Sequence, residues 1–350
     1  MKSRPLLLLI LSLVAFGSIA RAQATNTPTP NPQTPNPAKA QTPAAPSQTP
    51  TGTPATTGTV RLNVIVTDAA NRSVGDLRQE DFRVEEDGTP QTITQFAREE
   101  LPVTYTLVVD NSGSLRNIFE NMLRAGAALV AANKPGDETS LTRFVSADNI
   151  SVMQDFTGNQ SLLVRGLESM YIEGGQTAVI DAVYLSALRV AEQRDGDGTR
   201  RRALVLLSDG EDRASRYKQS ELQKLLRKLD VQVFAIGVVS ILPNDSSFIR
   251  PSPRNKATAF LNTLAAETGG RAFFPKNVKE LQEAVGEIAR DLRTQYTISY
   301  QPSNTNADGK FRKVQVKLSE TAKGDKRSVH ARAGYFAPGK NMQTTENRSR

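Results

Sequence analysis

Small oxygen-bearing side chains are concentrated where apolar stretches of the sequence end. The stretch TYTLVVD ends at Asp110, and Ser112 and Ser114 follow at alternate positions. The stretch RALVLLSD ends at Asp209, and the glycine-rich loop GGQT contributes the hydroxyl of Thr177. Carboxylates and hydroxyls are hard oxygen donors, which suit Mg²⁺ or Mn²⁺ better than zinc or copper. The residues predicted to ligate a divalent cation are Asp110, Ser112, Ser114, Thr177 and Asp209.

The elements that must position these side chains alternate between strand and helix over residues 102–293. Continuous apolar strands such as ALVLL and VFAIGVV are typical of a sheet that is covered by helices on both faces. The pattern predicts a doubly wound, mostly parallel α/β domain. With a strand order of 3-2-1-4-5-6, the strands that end at Asp110 and Asp209 are neighbours at the switch point, where ligands bind.

Two carboxylates in one crevice repel each other unless a cation lies between them. An extended turn after Asp110 would turn Ser112 and Ser114 to the same side, because alternate residues share a face. Mg²⁺ keeps several waters, so a site with few protein charges leaves a coordination position open to an external carboxylate.

Three segments of the sequence resemble the metal-ion-dependent adhesion site of von Willebrand factor type A domains: DNSGS, GGQTAVIDA and LLSDGED. The resemblance covers residues 102–293 and implies a cation that binds an acidic side chain of a protein ligand. It also implies that Ser112 and Ser114 coordinate directly, while Thr177 and the two aspartates act directly or through water. The flanking segments DFRVEEDGTPQTITQF and ARAGYFAP resemble those of exported bacterial proteins that are abundant in Acidobacteria.

Other interpretations of these residues stay open from the sequence. Asp110 and Ser112 could cap a helix that begins near Asn117. Asp181, one turn into a predicted helix, is expected to favour the positive helix N-terminus rather than to ligate. The acidic residues Glu173, Glu211 and Asp212 either adjust the electrostatic field around the predicted cation or are solvated loop residues.

Three functions remain for the chain: a cation-dependent adhesion module, a structural subunit of a cell-envelope assembly with a stabilising ion, and a metal-dependent hydrolase. Enzymatic activity is the least expected, and no catalytic residue is assigned. There is no cysteine, the one histidine is His330 in another predicted β segment, and no G-x-x-x-x-G-K loop is present.

The segments on either side of the α/β domain, residues 59–101 and 294–338, show the period-two alternation of β-strands. Each segment alone has too few strands for a stable core. We therefore expect one β-sandwich of six or seven strands built from both segments, with two separate small β-modules as the alternative.

The ends of the 350-residue chain predict export. Residues 1–24 have the basic start, short apolar run and small residues of a cleaved signal peptide. Residues 25–58 are a Pro/Thr-rich stalk, and residues 339–350 form a polar tail that we expect to be disordered. We expect a secreted, periplasmic or envelope protein without a membrane span. The net charge of +8 is scattered and forms no basic stripe, so nucleic acid is not an expected partner. The oligomeric state stays open.

Overall fold

The structure is a computed structural model, which describes residues 58–193, 200–245, 251–320, 322 and 326–339. The predicted signal peptide, the predicted stalk up to residue 57 and the predicted tail from residue 340 lie outside these ranges.

The described residues form fourteen strands and six α-helices. The strands are β1 (Val60–Thr67), β2 (Phe82–Glu86), β3 (Thr89–Gln91), β4 (Ile93–Glu100), β5 (Val103–Asp110), β6 (Glu138–Phe144), β7 (Ile150–Thr157), β8 (Arg201–Ser208), β9 (Gln232–Gly237), β10 (Ala272–Phe273), β11 (Thr294–Tyr300), β12 (Phe311–Leu318), β13 (Ser328–His330) and β14 (Gly334–Phe336). The helices are α1 (Phe119–Ala131), α2 (Gln160–Glu168), α3 (Val179–Ala191), α4 (Gln219–Lys228), α5 (Pro253–Thr268) and α6 (Val278–Arg293).

A six-stranded sheet in the order β10-β9-β8-β5-β6-β7 forms the centre of the α/β part. Numbered from β5, this is the expected order 3-2-1-4-5-6 read from the other edge. All its neighbouring pairs are parallel except β6 and β7, which are antiparallel. The prediction of a doubly wound, mostly parallel sheet is confirmed, and β5 and β8 are direct neighbours.

Helices cover both faces of this sheet. One apolar core lies between the sheet and α1, α2 and α6, and a second lies between the sheet and α3, α4 and α5. Every residue of β5 and of β9 is buried as a result. This accounts for the unbroken apolar runs, because a strand covered on both faces has no solvent side on which polar residues would alternate.

Two further sheets are antiparallel and four-stranded, in the orders β13-β1-β11-β4 and β14-β12-β2-β3. Strands from both ends of the described chain pair with each other, as Val60 does with Tyr300. The two sheets share one apolar core, which includes Leu62, Phe82 and Ile298. The hairpin between β2 and β3 turns at Asp87 and Gly88, with φ of 48° and 82°. Positive φ at both residues matches the twist of adjoining strands, which explains a glycine here.

The sandwich has eight strands rather than the six or seven that the pattern predicts. The stretch SVHARAGYF divides into β13 and β14, which belong to different sheets. Alternation of apolar and polar residues indicates strand conformation, but it does not show which sheet a strand joins. In the sequence, a segment that crosses from one sheet to the other therefore looks like a single strand.

The connection after β1 is tied to the α/β part by a buried ion pair. Nη1 of Arg271 lies 2.5 Å from Oδ2 of Asp291 in α6, and Nη2 of Arg271 donates to the carbonyl of Asn71. Ser73 Oγ donates to the same Asp291 carboxylate. Arg271 and Asp291 are buried, and a buried pair is costly to break because one charge is then left without its partner.

Among the described helices, none combines the length and apolar character that crossing a bilayer requires.

Candidate metal site

The two aspartates of the predicted site lie at the carboxyl ends of neighbouring parallel strands. Asp110 is the last residue of β5, and Asp209 directly follows β8. The register pairs Val109 with Leu207, so the two chain segments leave the sheet side by side. Both carboxylates are fully buried, with exposed fractions of 0%.

The hydroxyls after β5 form a continuous chain of hydrogen bonds to the acid after β8. Ser112 Oγ lies 3.1 Å from Ser114 Oγ, and Ser114 Oγ donates to Asp209 Oδ2 at 2.8 Å. The backbone N–H of Ser112 donates to Asp110 Oδ1 at 2.9 Å. The structure therefore brings four of the five predicted residues into one connected group.

Thr177 joins this group through its backbone. Its carbonyl accepts hydrogen bonds from the amides of Arg213 at 2.8 Å and Ala214 at 3.1 Å, in the segment that follows Asp209. The adjoining amide of Ala178 donates to Val145. Thr177 is buried, at 4% exposed. Across the part of the chain that is described, no hydrogen bond links its hydroxyl to the other four residues.

The helix-capping interpretation of Asp110 and Ser112 is wrong. Helix α1 begins at Phe119, and its N-cap residue, Ile118, makes no side-chain capping bond. Ser112 precedes a short 3₁₀ turn over Gly113–Leu115, and its side chain does not cap that turn either.

The expected reason for the alignment of the two serines also needs correction. Ser112 is extended, but Ser114 lies inside the 3₁₀ turn, so the segment does not continue as an extended strand. The hydroxyls meet because the chain tightens between them.

Ser208 and Asn111 support the site, and sequence reasoning missed both. Ser208 Oγ donates to Asp110 Oδ2 at 2.6 Å and accepts from the amide of Gly210 at 2.9 Å. Asn111 is buried, and its backbone N–H donates to the carbonyl of Phe144 at 2.9 Å. The only available signal was that each polar residue adjoins a predicted ligand, in SDG and DNS.

Burial raises the pKa of both aspartates. The pKa of Asp110 rises to about 7, mainly because the carboxyl is removed from water and in addition because Asp209 is close. The pKa of Asp209 rises for the same first reason, although the Glu211 amide and the Ser114 hydroxyl donate to it and oppose the rise. In the described residues neither carboxylate forms an ion pair with a Lys or Arg side chain. The charge of Arg213 lowers the pKa of Asp209, but this effect is smaller than that of burial.

The donor set fits a hard divalent cation. Two buried carboxylates without a cationic partner, next to two hydroxyls, are the ligands that Mg²⁺ prefers and lack the nitrogen or sulfur that a zinc site typically uses. No group of three or more His, Asp or Glu side chains suited to a metal occurs in the described ranges. That result agrees with the candidate site, which holds only two carboxylates and completes its set with hydroxyls.

The neighbouring acids Glu173, Glu211 and Asp212 organise the loops rather than lying free in solvent. Glu173 is paired with Arg143, and Glu211 Oε2 lies 2.5 Å from Arg213 Nη2. Asp212 Oδ1 accepts from the amide of Ile180 at 3.1 Å. These contacts hold the loops around the candidate site in place.

Asp181 has a different role from the one expected. It is 2% exposed, and its carboxylate accepts the backbone amides of Arg216 and Tyr217, each at 2.9 Å. It thus fastens the loop after Asp209 to α3 instead of serving its own helix terminus. His330 lies in β13 of the sandwich, where its ring nitrogen is 3.4 Å from Thr67 Oγ1.

Comparison with known proteins finds one matching domain family. The model of the von Willebrand factor type A domain family matches residues 105–211. The chain contains a von Willebrand factor type A domain. No curated protein sequence matches the chain.

Several solved structures are similar to the chain. An aerotolerance-related membrane protein from Bacteroides fragilis is 20% identical, with a TM-score of 0.41, over 54% of this chain and 98% of that one. BatB from Bacteroides thetaiotaomicron is 18% identical, with a TM-score of 0.40, over 54% and 99% of the two chains. Proximal thread matrix protein 1 from the mussel byssus, solved with a zinc-occupied site of the adhesion type, is 15% identical, with a TM-score of 0.42, over 56% and 49%.

Proposed function

We propose that this protein is an exported, cation-dependent binding module that engages an acidic side chain of a protein partner. The cation is Mg²⁺ or Mn²⁺, and its ligands are Asp110, Ser112, Ser114, Thr177 and Asp209. One observation carries the proposal: two fully buried carboxylates lie at adjoining strand ends, are connected through Ser112 and Ser114, and form no ion pair with a Lys or Arg side chain of the described residues.

The chemistry of the donors favours binding over stabilisation alone. The protein supplies two charges and a few hydroxyls, which do not complete the octahedral shell of Mg²⁺. Ser114 is exposed, so the group reaches the surface on that side. A partner carboxylate would take the position that the protein leaves open and would add a third negative charge to the ion.

The other parts of the chain fit presentation at a cell envelope. The signal-peptide pattern at residues 1–24 supports export, and the Pro/Thr-rich residues 25–58 suit a spacer. The chain has no cysteine, so its fold depends on its cores rather than on disulfides.

Isothermal titration of the full chain with Mg²⁺ and with Mn²⁺ tests the proposal. We expect the wild type to bind one ion and Asp110→Ala to lose measurable binding. Asp148→Ala is the matched control, because it also removes one carboxylate but from a side chain that is 75% exposed and paired with Arg216. Equal heats for wild type and Asp110→Ala would overturn the proposal.

The adhesive part of the proposal has a separate test. A pull-down from native envelope should capture a partner in Mg²⁺ and release it in EDTA. Capture that persists in EDTA would instead favour a structural subunit in which the ion only stabilises the loops.

A further inference from the structure

Tyr171, in the connection between α2 and α3, is the most exposed large apolar or aromatic side chain of the described residues. Its exposed fraction is 61%, compared with 46% for Val278, the next in order. An aromatic ring of this size in contact with water is informative when it is held in one place, because exposed rings concentrate at binding surfaces.

The backbone of Tyr171 is fastened directly to the candidate metal site. Asn111, between Asp110 and Ser112, donates from Nδ2 to the carbonyl of Tyr171 at 2.8 Å. The carbonyl of Asn111 in turn accepts the amide of Glu173 at 2.9 Å. Asn111 is fully buried, so the side chain that holds the Tyr171 carbonyl is itself fixed by its surroundings. The ring is therefore carried on a loop that is tied to the ligand-bearing turn.

The Tyr171 ring also packs against the side chain of Arg143, whose charge is paired with that of Glu173. The guanidinium carbon of Arg143 lies 5.5 Å from the centre of the Tyr171 ring. Arg143 is paired with Glu173, and Asn149 Nδ2 donates to the same carboxylate at 2.5 Å. The side chains of Arg143 and Glu173 are only 15% and 19% exposed. The surface beside the candidate site thus offers a flat ring without a free charge beneath it.

Arg143 reaches this position from the same edge of the sheet as the predicted ligands. It is the residue before the end of β6 and pairs in register with Val109, the neighbour of Asp110. We use the name Tyr171 platform for the three residues Tyr171, Arg143 and Glu173. The platform therefore lies at the same edge of the sheet as the candidate cation site.

We infer that the Tyr171 platform is a second contact for the same protein partner, which takes an uncharged aromatic or large aliphatic side chain. The inference rests on the proposed function, in which the acidic residue of the partner binds the cation. The favoured ligand is an extended segment whose apolar residue lies two positions from its acidic residue. In an extended chain, residues two positions apart point to the same side, so both can face the protein.

The platform gains affinity because it is already ordered. Fixing a mobile side chain on binding costs conformational entropy, and a ring that is held by its loop and by Arg143 avoids most of that cost. A cationic residue of the partner gains no cation–π contact on the face of the ring that the Arg143 guanidinium already covers.

A peptide library tests this inference on the full chain. Each hexapeptide carries one aspartate, with Phe, Leu, Ser or Lys varied at the other positions, and capture is compared in Mg²⁺ and in EDTA. We expect Mg²⁺-dependent capture to favour Phe or Leu two positions from the aspartate. Absence of any Mg²⁺-dependent peptide, or no preference for an apolar neighbour, would overturn the inference.

Variants separate the platform from the cation site. Tyr171→Ala should keep the Mg²⁺ affinity of the wild type within about twofold and lose at least tenfold in affinity for the best peptide. Tyr171→Phe keeps the ring and should bind that peptide like the wild type. Val278→Ser, a change at another exposed apolar residue, is the control for loss of surface hydrophobicity. Thermal unfolding of Tyr171→Ala near the wild-type temperature would establish that the variant is folded.

The two proposals fail in different ways. If Asp110→Ala abolishes capture while Tyr171→Ala binds the best peptide as tightly as the wild type, the platform is refuted and the cation site stands. If wild type and Asp110→Ala capture the same peptides equally, the proposed function itself is refuted.

Discussion

Ser114 Oγ donates a hydrogen bond of 2.8 Å to Asp209 Oδ2 across the boundary between two chain segments that are 95 residues apart in sequence. Ser114 belongs to the turn after β5, and Asp209 directly follows β8. The contact joins the two segments at the switch point of the sheet. Through this contact, the fold brings predicted ligands from two distant parts of the sequence together in the candidate metal site.

Gly175→Ala is expected to disturb the loop that carries Thr177. A Cβ atom at Gly175 would lie 2.5 Å from Cγ1 of Val145, which is buried and has no room to move away. We expect a loss of about 1–3 kcal/mol in the free energy of unfolding, together with weaker Mg²⁺ binding. Urea denaturation and isothermal titration measure the two effects.

Gly174→Ala is the matched control for that change. A Cβ atom at Gly174 meets nothing within 4 Å, and neither glycine has positive φ. The control should be neutral or slightly stabilising in urea, because alanine restricts the unfolded chain. Equal behaviour of the two variants would contradict the assigned contact with Val145.

Asp181→Ala is expected to destabilise the loop after Asp209. The change leaves the partly buried amides of Arg216 and Tyr217 without their acceptor. An unsatisfied buried group costs about 1–3 kcal/mol, which should appear as a lower urea midpoint. Asp148→Ala, which removes an exposed ion pair with Arg216, should cost no more than about 1 kcal/mol. A cost for Asp181→Ala as small as that of Asp148→Ala would show that the two amide contacts contribute little.

His330 is expected to make the protein less stable as the pH falls from about 6.5 toward 4. Burial, together with the nearby charge of Arg271, lowers the pKa of His330 to about 4. Between these pH values the unfolded chain binds a proton that the folded protein does not, so the free energy of unfolding decreases with acidity.

The His330 contribution is isolated by comparing His330→Gln with the wild type in urea at pH 7 and pH 4.5. Burial raises the pKa of Asp291 to about 6, which acts in the opposite direction over part of the same range but is common to both proteins. The variant should lose less stability on acidification than the wild type. Parallel losses in the two proteins would mean that folding does not lower the pKa of His330.

Much of the fold follows from the sequence because the relevant patterns are local. Unbroken apolar runs mark β8 and β9 as covered strands. An aspartate at the end of β5 and another just after β8 indicate the edge of the sheet at which a site forms. The strand order then makes Asp110 and Asp209 neighbours. That step needs only the topology typical of doubly wound sheets.

The remaining features depend on contacts between distant residues. Ser208 and Asp110 are 98 positions apart, and nothing about a serine near a strand end predicts which carboxylate it will contact. The role of Asn111 as the fastening of the Tyr171 loop has the same cause. For Asp181, the sequence shows only that it lies in the first turn of a predicted helix. It does not show that the amides of Arg216 and Tyr217, which are distant in sequence, donate to its carboxylate.

The most direct test of the cation site is a crystal structure of the full chain grown with Mn²⁺, with the ion located by its anomalous scattering. We predict one peak within roughly 2.5 Å of the hydroxyl oxygens of Ser112 and Ser114, beside Asp110 and Asp209. The Ser114 hydroxyl would then direct its oxygen at the ion. Crystals that contain Mn²⁺ but show no peak among these residues, with the Ser114–Asp209 hydrogen bond unchanged, would contradict the proposed site.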